Sequence, residues 1–213
     1  MVEKHTGIDT FSFENIPLYM DAAKNGCVVA FDTETTGLHN HDDVVQLAWV
    51  VIEKGKIVRR DYTYIQNRSV PLEGTEAQQV NKLSDAFLAR EGRKPHEVWT
   101  KFYAMLAELI QIHGKVFLVA HNLPFDLRMV QNNAIRYGIK PQYTLAALAA
   151  TGKLIGCDTK EFVRQLKLPK EVLPDCHLSN CVESFALDAA NTHDALDDTI
   201  ACLELFKYLT REG

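Results

Sequence analysis

The sequence predicts an α/β fold in which helices flank a mixed central sheet, and three observations support this prediction. Short apolar runs bounded by turn residues are typical of buried strands. Three such runs follow one another between residues 27 and 65, which indicates an antiparallel meander. From residue 95 onward helices alternate with strands, an order typical of layered α/β domains. At 213 residues, 46% of them hydrophobic, the chain is long enough for one sizeable core.

The meander begins with the apolar run Cys27–Thr33, which follows the helix-ending pair Asn25-Gly26. Its second strand is predicted over Val44–Glu53, which is rich in valine, leucine, isoleucine and tryptophan. The turn signal Lys54-Gly55-Lys56 then leads into Ile57–Ile65, whose side chains alternate well enough for a return strand. These three strands form the antiparallel part of the predicted sheet.

Parallel strands are expected in the second half of the chain. Pro95 opens an amphipathic helix that ends at Gly114, and Lys115–Ala120 follows as a second buried strand. The other predicted elements are, in chain order, a helix starting near Pro17 within Phe13–Lys24, a short helical stretch within Pro71–Asn81, a turn capped by Ser84, a helix ending at Tyr137, helical residues around Leu145–Ala150, a strand at Leu154–Asp158, and helices at Thr159–Leu166, Leu178–Phe185 and Asp194–Leu209.

The domain organisation is predicted to be simple. We expect residues 1–26 to be an N-terminal extension with a candidate short helix, and residues 27–213 to form a single domain, since no Pro-, Gly- or Ser-rich linker divides them. No apolar segment approaches the roughly 18 residues of a membrane span. The first residues also lack the basic-then-apolar pattern of a signal peptide. We therefore expect a cytoplasmic protein that does not contact membranes.

Charge and cysteine usage narrow the classes of partner and cofactor. A net charge of −5 provides no global basic field, so a nucleic-acid partner would be held locally. Five cysteines without CxxC spacing indicate reduced thiols. Cys176, His177 and Cys181 raise the alternative of a zinc site, but the apolar pattern around Cys181 favours core packing.

The first candidate functional residues are Asp32 and Glu34, at the end of the first buried strand. Alternate side chains of a strand point to the same face, so both carboxylates point the same way. Two like charges about 4 Å apart repel by roughly 4 kcal/mol at an effective dielectric constant near 20. A hard divalent cation, which prefers oxygen ligands, would offset that repulsion. The alternative is a polar turn with both acids solvated, and this pair alone leaves the two interpretations equally open.

Further acids follow the second buried strand and begin the last helix. Asp126 is either a ligand of the same site or a helix N-cap, and Asp194 occupies an N-cap position. Asp197 and Asp198 lie about 100° apart on the helix, so at most one of them faces a given site. His193 reaches the same centre if it belongs to the preceding loop, or else it is an ordinary loop histidine.

Three segments that carry these residues resemble the exonuclease motifs of the DnaQ-like family. They are Phe31–Gly37 (Phe-Asp-Thr-Glu-Thr-Thr-Gly), His121–Asp126 (His-Asn-Leu-Pro-Phe-Asp) and His193–Asp198 (His-Asp-Ala-Leu-Asp-Asp). The match is to the DEDD group with a histidine, related to the proofreading ε subunit of bacterial DNA polymerase III. It extends over about residues 27 to 209. The resemblance implies a ribonuclease H-like fold and 3′→5′ removal of nucleotides with two divalent metal ions.

The resemblance also implies a role for each matched residue. Asp32, Glu34 and Asp198 would hold the first ion, and Asp32 would bridge to the second, which Asp126 supports directly or through water. The expected ions are Mg²⁺ or Mn²⁺. Two ions about 3.5–4 Å apart stabilise both the attacking and the leaving oxygen of an in-line displacement. His193 would accept a proton from the attacking water, since histidine changes its protonation near neutral pH.

Substrate contacts are implied for two groups of residues. The backbone groups of Thr33, Glu34 and Thr35, with Leu38 nearby, resemble the family's pocket for the terminal nucleotide. Asn122 and Phe125 resemble residues that contact the substrate or lie behind the metal ligands. The expected substrate is the 3′ end of single-stranded DNA, released as nucleoside 5′-monophosphates. A 3′→5′ exoribonuclease of the same chemistry and an inactive nucleic-acid- or protein-binding module are the alternatives. Any replication or repair partner protein stays unidentified.

Two positions depart from the family pattern. Asn81 stands where related proteins often carry a histidine, and Gln46 stands where a glutamate is common in the second strand. Neither departure removes a predicted metal ligand. The role of His121 is left open between an exposed loop position and a position behind the ligands.

Overall fold

The computed structural model of the protein describes residues 6–190 and 192–211, and its centre is one five-stranded sheet. The spatial order of the strands is β3-β2-β1-β4-β5. β1, β2 and β3 pair antiparallel, whereas β1, β4 and β5 pair parallel, so the predicted mixed sheet is confirmed. The strands are β1 (Cys27–Thr35), β2 (Val44–Glu53), β3 (Lys56–Tyr64), β4 (Val116–Ala120) and β5 (Leu154–Asp158).

Helices cover both faces of the sheet. The described residues form the helices α1 (Ile16–Asn25), α2 (Glu76–Asn81), α3 (Asp85–Glu91), α4 (Pro95–His113), α5 (Leu123–Arg136), α6 (Leu145–Ala149), α7 (Thr159–Gln165), α8 (Leu178–Ser184) and α9 (Ala195–Leu209). None of them combines the length and the apolar character needed to cross a lipid bilayer.

The alternation of side chains along β1 divides the core into two clusters. Val29 and Phe31 are buried in the cluster that contains the apolar side of α4. Val28 and Ala30 point the other way and are buried with Phe206 and its neighbours on α9. Because the alternation continues along the strand, residues 32 and 34 extend from β1 on the α9 face. The core therefore determines which helix the two acids meet.

The structure settles the end of β1 and the starts of α5 and α9, the three element boundaries closest to the motifs. β1 continues two residues beyond the predicted end, so Glu34 belongs to the strand. α5 already begins at Leu123 and Asn122 occupies its N-cap position, so the alternative of Asp126 as an N-cap is wrong. Asp194 is confirmed as the N-cap of α9, where its side chain accepts hydrogen bonds from the backbone of the first turn.

The N-terminal segment packs directly on β5. The amides of Gly156 and Asp158 donate to the carbonyls of Asp9 and Thr10, at 3.1 and 2.6 Å. The Tyr19 hydroxyl of α1 donates to the Gly156 carbonyl at 2.9 Å. A Cβ at residue 156 would lie 2.5 Å from the Asp9 oxygen, so glycine is needed for this approach. The division of the chain at residue 26 stays a prediction, and residues 1–5, 191 and 212–213 lie outside the described residues.

The cysteines do not form disulfides. All five are free thiols, and Cys181 is buried in an apolar cluster beside α9. Within the described residues, no group of three or more possible metal ligands includes Cys176 or Cys181. The core-packing interpretation of these cysteines therefore fits the structure better than a zinc site.

Candidate active site

The acid pair of β1 lies where the strand passes beyond its parallel neighbour. β1 pairs with β4 only through Val28, Val29 and Ala30, so the residues that follow have no strand on that side. Asp32 and Glu34 are both half-buried at this position. In open α/β sheets, ligands bind in the crevice outside the carboxyl ends of the strands, and both acids lie near the carboxyl end of β1.

α9 brings a third acid and a histidine to the pair. Asp198 lies one turn after the N-cap Asp194 and is buried, and its Oδ1 accepts a hydrogen bond from the Thr192 amide at 3.2 Å. Ligand atoms of Glu34, His193 and Asp198 all lie within 4.8 Å of one another. Asp197 is turned aside and accepts from the Thr192 hydroxyl at 2.7 Å. Of the two neighbouring acids on this helix, Asp198 is thus the one that faces the site.

His193 belongs to the loop before α9 and adopts an uncommon backbone conformation. Its φ is +57°, in the left-handed region that costs a non-glycine residue roughly 1–2 kcal/mol. Histidine, like asparagine and aspartate, is enriched there. The imidazole is exposed while its nitrogen approaches the buried carboxylate of Asp198. This conformation places a water-accessible base beside the acids.

α5 supplies the fourth acid, and Thr33 fixes its position. The backbone amide and the hydroxyl of Thr33 both donate to Oδ1 of Asp126, at 3.1 and 2.8 Å. Asp126 is only 2% exposed, and neither bond uses its second oxygen. Thr33 was predicted as a substrate contact from its place in the motif. Its backbone amide and hydroxyl hold an acid that lies 93 residues further along the chain, and the substrate contact stays a prediction.

Burial and mutual repulsion raise the pKa of these carboxyl groups. Loss of solvent raises the pKa of Glu34 from 4.5 to about 8, and Asp198 and Asp126 add to the rise. Burial also raises the pKa of Asp126 from 3.8 to about 8, against the lowering effect of the Thr33 hydrogen bonds. The pKa of Asp32 is raised well above its ordinary value by burial and then by Asp126, Glu34 and Asp198. Asp32 is therefore within electrostatic reach of the three other acids.

This donor set fits divalent metal ions. Four carboxylates from β1, α5 and α9 meet in a partly desolvated place where their repulsion is costly. Oxygen donors are what Mg²⁺ and Mn²⁺ prefer, and a bound cation would offset both the repulsion and the burial. The residues present are thus suited to hold such ions.

The raised pKa values predict an unusual pH dependence of stability for the metal-free protein. Glu34 and Asp126 bind protons more tightly in the folded than in the unfolded protein. Their contribution to the free energy of unfolding is therefore fully present below about pH 4 and is lost as the pH rises towards 8. Each group that holds its proton only in the folded state contributes a slope of up to about 1.4 kcal/mol per pH unit. Urea unfolding in chelator between pH 5 and 8 measures this slope.

Metal ions and one variant serve as controls for this prediction. Added Mn²⁺ should stabilise the protein more at pH 8 than at pH 5.5, because metal binding displaces the protons. Asp126→Asn, which can still accept the Thr33 hydrogen bonds, should reduce the slope. Metal-free stability that rises with pH over this range would contradict the assignment.

Gln46 is a site residue whose role the sequence did not reveal. It pairs with Glu34 across β1 and β2, and it is buried. Its Nε2 donates to Oδ2 of Asp194 at 2.8 Å, and its Oε1 accepts from the Ala195 amide at 3.3 Å. An amide satisfies both neighbours, whereas a glutamate would place a second carboxylate against Asp194. The pairing of Gln46 with Asp194 thus gives a physical reason for glutamine at this position.

Gln46→Glu should therefore destabilise the protein by about 1–3 kcal/mol, the cost of an unsatisfied buried polar contact. The matched rescue is Gln46→Glu with Asp194→Asn, since asparagine also caps helices and its amide donates to the new glutamate. Chemical denaturation of the four proteins of this double-mutant cycle measures the coupling. A Gln46→Glu protein as stable as the parent would show that the bond contributes little.

Two residues of the second motif make contacts that hold the surrounding structure. Asn122 adopts φ +82° and its backbone amide donates to Asp158 at 3.0 Å, and Asp158 in turn caps α7. His121 is half-buried, and its nitrogens lie 3.0 Å from the Thr159 hydroxyl and 2.8 Å from the Cys176 carbonyl. Burial lowers the pKa of His121 to about 4, so it stays neutral. It joins the motif to the loop before α8.

The predicted substrate-binding residues differ in their exposure to solvent. Leu38 is 72% exposed, and Thr35 is buried with its hydroxyl on the Gly37 carbonyl. Asn122 and Phe125 line a cavity of about 580 Å³ together with Arg128 and the N-terminal segment. Arg128 stacks on Phe125 at 5.4 Å and donates to the Leu38 carbonyl at 3.1 Å. The structure thus brings Leu38, Phe125 and Asn122 to one side of the molecule, and leaves Thr33 and Thr35 in the interior.

Solved structures with the same architecture are exonucleases, and they place the chain in the ribonuclease H-like fold class. Escherichia coli exonuclease I in complex with a dT13 oligonucleotide superposes with a TM-score of 0.69 at 15% identity, covering 86% of this chain and 40% of that one. Exonuclease X in complex with 5′-overhanging duplex DNA gives a TM-score of 0.57 at 21% identity, with 85% and 90% covered. At these identities the likeness shows the fold alone.

The family follows from the sequence itself. The RNase_T model, which describes an exonuclease family, matches residues 29–206. The chain belongs to this family, that of the DnaQ-like 3′→5′ exonucleases. The family is dependent on divalent metal ions, which agrees with the oxygen-rich donor set described above.

Curated relatives are polymerase-associated proteins and exonucleases. The PolC-type DNA polymerase III of Caldanaerobacter subterraneus subsp. tengcongensis is 28% identical over 189 residues, 87% of this chain. The DNA polymerase III subunit epsilon of Treponema pallidum is 25% identical over 186 residues, 83% of this chain and 73% of that protein. The chain spans only 12% of the PolC relative and 11% of the 3′-5′ exonuclease DinG of Bacillus subtilis.

Proposed function

We propose that this protein uses two divalent metal ions, Mg²⁺ or Mn²⁺, to hydrolyse single-stranded DNA from its 3′ end, releasing nucleoside 5′-monophosphates. The observation that carries the proposal is the convergence of four carboxylates, Asp32, Glu34, Asp126 and Asp198, beside His193. A single acid at a helix start has ordinary structural explanations, but a cluster of four acids in which burial and neighbouring carboxylates raise the pKa of Asp32 and Glu34 does not stabilise the fold.

The position of each acid suits a different role in metal binding. Asp32 lies within reach of the other three, which suits a ligand shared by both ions. Glu34 and Asp198 would help to hold one ion, and Asp126, positioned by Thr33, would support the other. When bound, a pair of ions stabilises the attacking and leaving oxygens of an in-line displacement at phosphorus. The protein's own contribution is to hold the carboxylates rigidly on β1, α5 and α9.

His193 is the residue proposed to move the proton. Its imidazole is exposed to water yet lies beside Glu34 and Asp198, so a water molecule at the scissile phosphate would be within its reach. General bases of this kind contribute about 10²–10⁴-fold to a rate.

The terminal nucleotide is proposed to bind on the Leu38 side of the site. The exposed Leu38, which follows β1, offers an apolar surface for a base, and Arg128, which binds the Leu38 carbonyl, offers a cationic group stacked on Phe125. A DNA substrate is supported by the oligonucleotides bound to the exonuclease I and exonuclease X structures. Association with a replicative polymerase is a further proposal, supported by the relatives named as DNA polymerase III proteins.

Digestion of end-labelled oligonucleotides tests the proposal. DNA and RNA of one sequence, labelled at the 3′ or the 5′ end, are incubated with Mg²⁺, Mn²⁺ or chelator. We expect 3′-labelled DNA to release mononucleotide at once and 5′-labelled DNA to shorten stepwise, in both cases only with metal. Faster digestion of RNA would reassign the protein as an exoribonuclease, because the 2′-hydroxyl would then be accepted. Binding without digestion of either would favour the inactive binding module.

A further inference from the structure

A second group of metal-binding side chains lies outside the carboxylate site, in the loop between β1 and β2. The sequence His39-Asn40-His41-Asp42 forms the polar turn of this loop. One ligand atom each from His39, His41 and Asp42 lies within 4.8 Å of the others. Among the described residues, the only other such group is the one formed by Glu34, His193 and Asp198. The catalytic proposal makes no use of the loop group.

The distances in this cluster approach those of a tetrahedral ion. Zinc binds histidine nitrogen and carboxylate oxygen at about 2.0–2.2 Å, which places neighbouring ligands of a tetrahedron roughly 3.3–3.6 Å apart. His39 Nδ1 lies 3.4 Å from Asp42 Oδ2, and His41 Nε2 lies 3.9 Å from Asp42 Oδ1. The two imidazoles stack with centroids 5.3 Å apart and planes 14° from parallel. Rotation of the two imidazoles would be needed to complete the three-ligand geometry.

The carboxylate of the cluster is held in place by the fold. The Asp42 side chain is only 5% exposed, and its Oδ2 accepts the His39 amide at 2.6 Å. A Cβ on residue 37 would lie 2.5 Å from the same oxygen, so Gly37 leaves the space that the carboxylate occupies. The two imidazoles, by contrast, are 77% and 69% exposed. One ligand is therefore fixed, and the other two are free to close on an ion from solution.

The loop that carries the cluster is also attached to α5. Arg128 donates to the Leu38 carbonyl at 3.1 Å and to Asn40 at 3.2 Å. Arg136 donates to the Asn40 carbonyl at 2.8 Å. These bonds limit how far the loop can move, which lowers the entropic cost of bringing the histidines together.

We propose that His39, His41 and Asp42 bind a divalent transition metal ion of the imidazole-preferring class, for which Zn²⁺ is the probe. Two nitrogens and one oxygen suit zinc, copper or nickel, whereas the all-carboxylate site suits Mg²⁺ and Mn²⁺. Three protein ligands leave a position for water. The ion would clamp the turn that follows Leu38, and so would stiffen the surface proposed to receive the terminal base.

Zinc titration of the full-length protein followed by histidine NMR tests the proposal. With Asp32→Asn and Asp198→Asn weakening the carboxylate site, we expect one Zn²⁺ per chain at pH 7.5, and the Cε1–H signals of His39 and His41 should shift together. Single His39→Gln and His41→Gln proteins assign the two signals. Mg²⁺ should leave both signals unchanged. The same signals can be followed in the parent protein, in case the double asparagine variant fails to fold.

Removal of the two imidazoles completes the test. In the same background, His39→Gln with His41→Gln should weaken Zn²⁺ binding at least tenfold, while the control pair His96→Gln with His113→Gln, two histidines of α4, should not change it. Unchanged zinc binding without His39 and His41, or a shift of only one of their signals, would overturn the proposal. These readouts do not involve hydrolysis, so they are independent of the nuclease assignment.

Discussion

Asp198→Asn should reduce the rate of 3′-end hydrolysis by at least about 10³-fold and leave the fold intact. A carboxylate that holds a catalytic ion contributes several kcal/mol of transition-state stabilisation, and about 4 kcal/mol corresponds to 10³-fold in rate. The metal-free protein should gain stability from the same change, because a buried acid that raises the pKa of Asp32 and Glu34 is removed. Asparagine keeps the oxygen that accepts the Thr192 amide.

The chain offers a closely matched control on the same helix. Asp197 is the adjacent acid, but its carboxylate is turned to the Thr192 hydroxyl. Asp197→Asn should change the rate by less than about threefold, a difference worth under 1 kcal/mol. Single-turnover digestion of a 3′-labelled oligonucleotide measures both variants, and urea unfolding in chelator compares their stabilities. Equal losses in the two variants, or full activity of Asp198→Asn, would remove Asp198 from the metal site.

His193→Gln should lower kcat by about 10²–10⁴-fold without loss of metal binding, as expected for a general base that is not required as a ligand. The substitution can alter the loop as well as remove the base, because residue 193 has a positive φ. Mn²⁺ affinity, measured by electron paramagnetic resonance, therefore reports whether the carboxylates keep their positions. The increase of rate with pH that reflects an unprotonated imidazole should also disappear in the variant.

The pH profile is what separates a base from a positioning residue. A histidine that only orients water or substrate would lower kcat and keep the parent's pH dependence. His96→Gln, on the exposed start of α4, controls for the loss of a surface imidazole. If His193→Gln retained the ascending limb of the profile, the base would have to be sought elsewhere in the site.

The parts of the site that were predictable depend on local periodicity. The face shared by Asp32 and Glu34 follows from strand alternation, and helix geometry predicts that at most one of Asp197 and Asp198 faces the site. The choice of Asp198 came from the family resemblance. The family resemblance then assigned the acids of the three motifs to one metal site. β2 was predicted with the bounds that the structure has, because its long apolar run admits few alternatives.

Other features depend on residues far apart in the sequence and left no local signal. Thr33 holds Asp126, which lies 93 positions further along the chain, and the motif around Thr33 carries no signal for this bond. Gln46 was noted only as a departure, since its partner Asp194 lies 148 residues away. His39, His41 and Asp42 are close in sequence, but a polar turn rich in such residues has ordinary explanations. Only the three-dimensional arrangement distinguishes a set of possible ligands from a solvated turn.

The N-terminal segment has a consequence for the behaviour of the protein in solution. An open sheet ends in two edge strands, whose unpaired backbone groups can recruit a strand from another molecule. On β5 the carbonyls of Asp9 and Thr10 already occupy amides of that edge. On β3, at the opposite edge, Lys56, Arg59 and Arg60 are exposed and cationic. One edge is covered and the other is charged, and both arrangements oppose edge-to-edge aggregation.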